Sequence, residues 1–404
     1  MSTEINEARP SHVAIIGGGL AGLTAAATIA ASGGLAIVYE RLGAVGGDAR
    51  SSTHQGFTFN HGPHALYRGG PGERTLRELD IDIRGGVPPV KGRIVFDGQS
   101  FVAPAGPATL LQTRALNIKD KLEVAKVLGA LPKFRPSELA GLSVNKWIDR
   151  LVSRERPRQL LHMLSRLSTY VNHPDVASAE VAATQMQLAL GPGVVYLHGG
   201  WQTLVDQLAA KPGVQVVHGG AITELPDAPA VIVADGGPTL ASKMLGRGFG
   251  VGPAAEVSCI DLGLTRQPDH DIVLGADASF YFSNHSSVAD LTEQGTFCAS
   301  GLQYLGPGDQ PDTDAIRDFV RHAGVRDDDI VFERKLHRMQ AVSAIATADS
   351  GGLSGRPSHR DTGIKNVFIA GDWVGPQGHL ADAAIASGRA AAQSALRCLQ
   401  GVRA

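Results

Sequence analysis

The chain has 404 residues, of which 43% are hydrophobic and 19% charged, with a formal net charge of −2 and a pI near 6.7. That length exceeds the usual single-core size and predicts about two domains. The near-neutral balance, with no dense Lys/Arg block, excludes the electrostatic footprint of a nucleic-acid-binding protein. Fifty glycines, well above the ~7% average, imply tight turns and close backbone approaches of the kind a ligand-wrapping enzyme uses. Cys259, Cys298 and Cys398 lie far apart with no C-x-x-C spacing, which suits a reducing compartment. The opening MSTEINEARP is polar and predicts no secretory signal, and no run reaches the ~18 apolar residues of a membrane span. The expectation is a cytoplasmic protein, with peripheral membrane contact left open.

The first predicted elements are the clearest. HVAIIGGGLAGLTAAATIAASGGLAIVYE reads as a short apolar strand from Val13 to Ile16, a glycine turn, an alanine-rich helix opening at about Leu20, and a second strand ending at Glu40. Gly17, Gly19 and Gly22 have the G-x-G-x-x-G spacing, which serves a tight turn, backbone approach to a pyrophosphate, and close helix-on-strand packing. The helix N-terminus at Leu20 and Ala21 favours phosphate through its free N–H groups and dipole. Glu40 stands where a carboxylate accepts hydrogen bonds from a ribose diol, with Arg41 beside it. This pattern predicts a dinucleotide site without deciding between NAD and FAD.

Residues 115–165 carry helical periodicity and predict a helical insertion. VVYLHGGWQTLVDQLAAKPGVQVVHGGAITEL then reads as a glycine turn, a helix, a Pro-Gly stop and a strand, and VIVAD at 231–235 as a buried strand. Alternating segments over 255–345 suit an antiparallel sheet of a second domain. NVFIAGDWVGPQGHLADAAIASGRAAAQSALRCL predicts a strand, a Gly-Asp turn and a long alanine-rich helix.

A second glycine cluster, YERLGAVGGDARS at 39–51, has no use in a plain NAD domain. A longer cofactor needs it, because a ribityl chain and isoalloxazine ring extend past the pyrophosphate. Gly46-Gly47-Asp48-Ala49-Arg50-Ser51, Gly62-Pro63-His64, HGGWQTLVDQL near 198–208, Gly371-Asp372-Trp373 and Ser387-Gly388-Arg389-Ala390-Ala391 together resemble the FAD-dependent amine oxidase, phytoene desaturase and protoporphyrinogen oxidase superfamily. The resemblance covers the cofactor-binding half and departs at Asp48, where the family usually has Arg, and at the first glycine of the last helix motif.

The resemblance implies an α/β fold: a discontinuous Rossmann-like FAD-binding domain over 1–66, 195–250 and 350–404, with an inserted α+β substrate-binding domain over 67–194 and 251–349. That second domain would hold a mixed or antiparallel sheet and a helical part. It further implies that Gly17, Gly19 and Gly22 hold the pyrophosphate and Glu40 the adenosine ribose. Gly46, Gly47 and Arg50 would lie along the pyrophosphate and flavin edge, with Gly62, Pro63 and His64 beside the ring. Ile222 falls where the family's adenine-contacting strand runs. Gly371 and Asp372 would meet the ribityl chain. His379 would neighbour the flavin or cap the last helix, and the N–H groups of Leu380 and Ala381 would face the pyrimidine oxygen, where reduction places negative charge.

Flavin chemistry needs orientation and water exclusion more than catalytic side chains. The candidates are His64, near flavin or substrate or hydrogen-bonded in its loop; Trp373, walling the ring or packed in the core; and Tyr281 and Tyr304, lining the cavity or packed in the sheet. No cysteine falls between 340 and 370, so FAD is expected to be noncovalent. Lys335 reads as part of a charged strand edge, and no metal set is present. The implied function is hydride removal from a C–N or C–C bond of a small or moderately apolar organic substrate, with oxygen or another acceptor taking the electrons. A flavin-dependent isomerase and a GDP-dissociation-inhibitor-like binding protein are the alternatives.

Overall fold

The structure is a computed structural model that describes residues 12–62, 64–89 and 91–402. Pro63 and the residues 1–11 read for a leader lie outside the described residues. A parallel sheet runs in the order Val214–His218, Leu35–Glu40, His12–Ile16, Ala230–Val233, Val367–Ile369. Its central strand is apolar and buried from Val13 to Ile16 because both faces are covered, as a parallel sheet requires. On one face the helices Leu20–Ala31 and Ala381–Val402 pack Ala25, Ala26, Ile29, Ala391 and Ala395 against Val13, Ile15, Val38 and Ile232. On the other, Ala14, Ile16, Val231, Val233 and Ile369 meet Ala241, Leu245 and Trp373.

The alanine content of the two helices is a packing requirement. Small side chains let them approach closely, and Gly388 sits where a Cβ would lie 2.2 Å from the Ala21 carbonyl oxygen. The last helix is thereby held against the first turn of the Leu20–Ala31 helix, so the two N-terminal ends share one region.

A seven-stranded sheet carries the rest, in the order Ile330–Val342, Ala255–Leu264, Phe297–Leu305, Phe280–Asn284, Ile272–Gly275, Arg93–Phe96, Gln99–Val102. The antiparallel reading of 255–345 is met by its own strands. The hairpin of Arg93–Phe96 and Gln99–Val102, which the sequence reading did not assign, joins through a parallel pairing of Val273 with Arg93 and makes the sheet mixed. Helices Ile118–Ala130 and Glu155–Thr169 bury Val124, Leu160 and Met163 against Ile94, Phe96, Tyr281 and Tyr304. Thr313–Val320 covers the other face with Ile316 and Phe319. The strand expected through GGAITEL ends at His218, and Ile222 lies in an irregular segment beyond it. With Gly219 and Gly220 before it and Pro226 and Pro229 after it, that segment has poor strand chemistry. Among the described residues no helix is long and apolar enough to cross a membrane.

Two alanine substitutions test the packing argument in opposite directions. Gly388→Ala is expected to cost about 1–3 kcal/mol, because the backbones must part. Gly129→Ala, on a helix with nothing within 4 Å of the built Cβ, is expected to stabilise by about 0.5–1 kcal/mol. Urea unfolding measures both, and equal effects would contradict the packing.

Candidate functional site

The turn after the first strand sets the position of everything that follows. Gly17 has a φ of +103°, and a Cβ there would stand 2.5 Å from the Ala234 carbonyl oxygen. Gly22 lies under the same turn, its Cβ position 2.0 Å from the Gly17 carbonyl oxygen. Glu40, at the end of the adjacent strand, is buried and binds both loops: the Gly18 N–H donates to Oε2 and the Leu42 N–H to Oε1, each at 2.8 Å. A carboxylate has about four acceptor sites, so two remain for a ligand. The second glycine cluster lies directly on the first. Gly46, with φ +119°, donates its N–H to the Gly18 carbonyl at 2.7 Å, and Gly19 and Gly46 form a parallel bridge.

From this turn a cavity of about 1440 Å³ runs through the molecule. Its first part is lined by Gly17, Gly19, Leu20, Ala21, Glu40, Arg41, Gly46 and Gly47, with Asp235, Gly236 and Gly237 from the end of Ala230–Val233. Burial raises the Asp235 carboxyl above its ordinary value, with Arg41 opposing and Glu40 reinforcing.

The middle part is lined by Asp48, Arg50, Gly62, His64, Gly371, Asp372, Leu380 and Ala381. Asp372 is half-buried and accepts the Ser343 N–H at 2.8 Å; burial raises its pKa, with the Ser343 hydrogen bond and Arg356 opposing. Asp48 is raised by burial and by Asp372. Leu380 has a φ of +54°, a left-handed conformation that costs a branched residue roughly 1–2 kcal/mol, and the long helix starts immediately after it. Strain of this kind persists where surrounding packing fixes it and collects at ligand sites.

The far part is aromatic and apolar. Tyr67, Tyr170, Tyr196 and Tyr281 line it with Leu164, Leu167, Met186 and Met339. The Tyr196 hydroxyl is 3.4 Å from that of Tyr281 and 3.2 Å from Ser283 Oγ. His64 stacks on His285 with ring centroids 4.3 Å apart, and His64 Nδ1 and His285 Nε2 have no hydrogen-bond partner. Burial lowers the pKa of both rings, so both are neutral at pH 7.

Residues 15–80 match the NAD(P)-binding Rossmann-like domain family. Solved structures share the whole architecture. An oxidoreductase from Methanosarcina mazei superposes with a TM-score of 0.73 at 17% identity, over 95% of this chain and 100% of that one. Cyclohexylamine oxidase from Brevibacterium oxydans gives 0.71 at 15%, over 97% and 100%. A putrescine oxidase bound to putrescine gives 0.73 at 13%, over 96% and 99%. The chain has the amine oxidase fold. The resemblance read from the glycine motifs therefore extends, as fold, through the rest of the chain, where no sequence motif carried it.

Within the amine oxidase fold, most of the residues singled out from sequence converge on the one cavity, Tyr281 included. Five of the described ones do not line it. Gly22 is packed beneath the turn. Trp373 is 1% exposed, edge-on to Phe249 at 4.9 Å, and belongs to the core on the sheet's outer face. Tyr304 stands one layer back, edge-on to Tyr170 at 5.7 Å. His379 is buried with Nε2 2.7 Å from the Thr169 carbonyl oxygen, and burial lowers its pKa to about 4. Ile222 packs with Tyr39 and Val251 against the apolar core on the outer face of the parallel sheet.

Other cavity residues escaped the sequence reading. Asp235 had a signal, since VADGG places an acid and two glycines after a buried strand. Tyr67, Tyr170, Tyr196 and Asp382 had none, because each comes from a different segment. Lys335 was read as a strand edge; it lines the cavity and also sits 3.5 Å from Glu333.

Asp382, in the first turn of the last helix, is 2% exposed. Its Oδ1 accepts the Gly72 N–H at 3.0 Å and its Oδ2 has no partner. Burial raises its pKa to about 7. The folded state therefore holds this proton more tightly than the unfolded chain. The resulting stability is full below about pH 4 and is lost as pH rises through about 7. Asp382→Asn removes that loss, so the ligand-free variant is expected to gain on wild type between pH 4 and 8, by up to about 4 kcal/mol. Thermal unfolding across that range measures the difference, and a pH-independent gap would contradict it.

Proposed function

We propose that the chain is an FAD-dependent oxidoreductase that removes a hydride from a C–N or C–C bond of a small or moderately apolar organic molecule, with FAD held noncovalently. The observation that carries this reading is the continuity of the cavity from the Gly17 turn, past Asp372 and the start of the last helix, into the tyrosine-lined chamber. Its volume exceeds the ~300–1,000 Å³ of an ordinary small-molecule pocket and leaves room for a dinucleotide together with a substrate. None of the three cysteines lines it, which supports noncovalent binding.

The residues fit the group. Gly17, Gly19, Leu20 and Ala21 would hold the pyrophosphate at the helix N-terminus, with Gly46, Gly47 and Arg50 on its other side. Glu40 and Arg41 would take the adenosine ribose, Asp372 and Gly371 the ribityl chain, and Leu380 and Ala381 the pyrimidine edge. FAD, when bound, supplies the hydride acceptor. The protein supplies position and solvation. Tyr67, Tyr170, Tyr196 and Tyr281 wall the substrate and exclude water. His64, kept neutral by burial, borders the cavity without adding a charge to it. The burial that holds His64 neutral also disfavours an ammonium, so an amine is held with its lone pair free, the state from which hydride leaves. Oxygen or another small acceptor takes the electrons in a second half-reaction.

An absorbance spectrum of the purified protein, followed by heat release of the cofactor, tests this reading. Flavin bands with FAD freed into the supernatant are expected, and anaerobic bleaching by amines against alkenes then selects the bond oxidised. A colourless protein that takes up no added FAD would overturn it. Glu40→Gln is expected to weaken FAD about tenfold or more, because an amide cannot accept from both loop N–H groups and a ribose. Unchanged affinity by equilibrium dialysis would remove Glu40 from the site.

A further inference from the structure

We infer that the helical face formed by residues 107–133 docks this protein on an anionic lipid surface. Leu111, Ile118 and Leu122 are 75%, 78% and 66% exposed, the most exposed large apolar side chains among the described residues. Ile118, Leu122, Ala125 and Gly129 fall at i, i+4, i+7 and i+11 of the helix Ile118–Ala130, so they form one stripe turned away from the core. The opposite face, with Val124 and Val127, is the buried one. The Lys121 ammonium donates to the Leu111 carbonyl at 2.6 Å, which brings the short helix Pro107–Gln112 beside the stripe.

Charge is sorted around the same face. Residues 107–133 hold five cations, Arg114, Lys119, Lys121, Lys126 and Lys133, and two acids. Both acids are engaged with neighbouring chain. Asp120 is 3% exposed and pairs with Arg154 at 2.5 Å, and Glu123 accepts the Ser153 hydroxyl and the Ser153 and Arg154 N–H groups. Arg114, Lys119, Lys126 and Lys133 are exposed. An apolar stripe with cations beside it and its acids turned away is the chemistry of a helix lying in a lipid headgroup layer. A second copy of the chain fits less well. The like-charged lysines would meet their own counterparts, and three large apolar side chains fall short of the roughly 800 Å² per partner that a stable dimer buries.

Sedimentation of the purified full-length protein with mixed phosphatidylglycerol–phosphatidylcholine vesicles, against pure phosphatidylcholine vesicles, tests the proposal. The wild type is expected to sediment with the mixed vesicles and to be released by salt. Ile118→Asp/Leu122→Asp is expected to lose binding at least about tenfold. Lys119→Gln/Lys126→Gln is expected to lose about 25-fold, from about fivefold per lysine. Both pairs are exposed, and unchanged melting temperatures would show that the variants fold. Failure of the wild type to bind the mixed vesicles, or equal binding by the variants, would overturn the proposal. So would light scattering that finds a wild-type dimer dissolved by Ile118→Asp/Leu122→Asp, since a second copy would then cover the face.

Discussion

The structure depends on backbone meeting backbone around Gly17. The turn leaves the first strand against the Ala234 carbonyl, Gly22 packs under the Gly17 carbonyl, and Gly388 brings the last helix against Ala21. A single Cβ at Gly17, Gly22 or Gly388 would force these segments apart by an ångström or more. Because the last helix is fixed this way, its first turn, from Leu380 to Asp382, comes to line the same cavity as the glycine turn. Sequence ends separated by more than 350 residues thus share one wall, and the chain between them supplies the opposite side.

The first half of the cavity is built mainly from backbone, and for this reason carboxylates there would not repel the proposed anionic cofactor outright. Glu40 already accepts two loop N–H groups, and Asp372 accepts that of Ser343. Their charge is partly balanced before anything binds, while Arg41, Arg50 and the helix N-terminus provide the positive field. The far half inverts this arrangement. Its polar atoms belong to side chains, and burial pushes the His64 imidazole down and the Asp382 carboxyl up, toward neutral forms. One end of the cavity suits charge, and the other rejects it.

This division also sets what was legible in the sequence. The glycine-lined half was readable because backbone contact demands glycine, and glycine at fixed spacing is visible in a single chain. Glu40 was readable because a strand end is easy to count to. Trp373 and Tyr304 were not, since an aromatic residue beside a cavity and one buried a layer behind it have the same sequence neighbourhood. Ile222 misled because a family position was projected onto a segment whose glycines and prolines had already ended the strand. The tyrosine chamber was illegible for a different reason. Tyr67, Tyr170 and Tyr196 come from separate segments, and only the tertiary fold puts them on one surface with Tyr281, the one member singled out from sequence.

The seven-stranded sheet shows how the two halves are coupled. Arg334, on the edge strand Ile330–Val342, donates to Asp261 at 2.5 Å and to the Asn60 carbonyl at 2.9 Å, and its guanidinium lies 5.5 Å from the centre of the Phe59 ring. Asp261 is 1% exposed and also accepts the Ser300 hydroxyl at 2.6 Å, so the buried charge pair is hydrogen-bonded on several sides. Breaking such a pair from one side leaves an unpaired buried charge, which costs about 3–5 kcal/mol. Asn60 in turn accepts the Trp201 N–H and the Ser51 hydroxyl through its side chain, binding the strand Ser51–His54 to the glycine turn at 199–200. The seven-stranded sheet is therefore fastened to the segment that carries Arg50 and His64. The Arg334–Asp261 pair is thus the hydrogen-bonded joint between that sheet and the loop beside the cavity's middle.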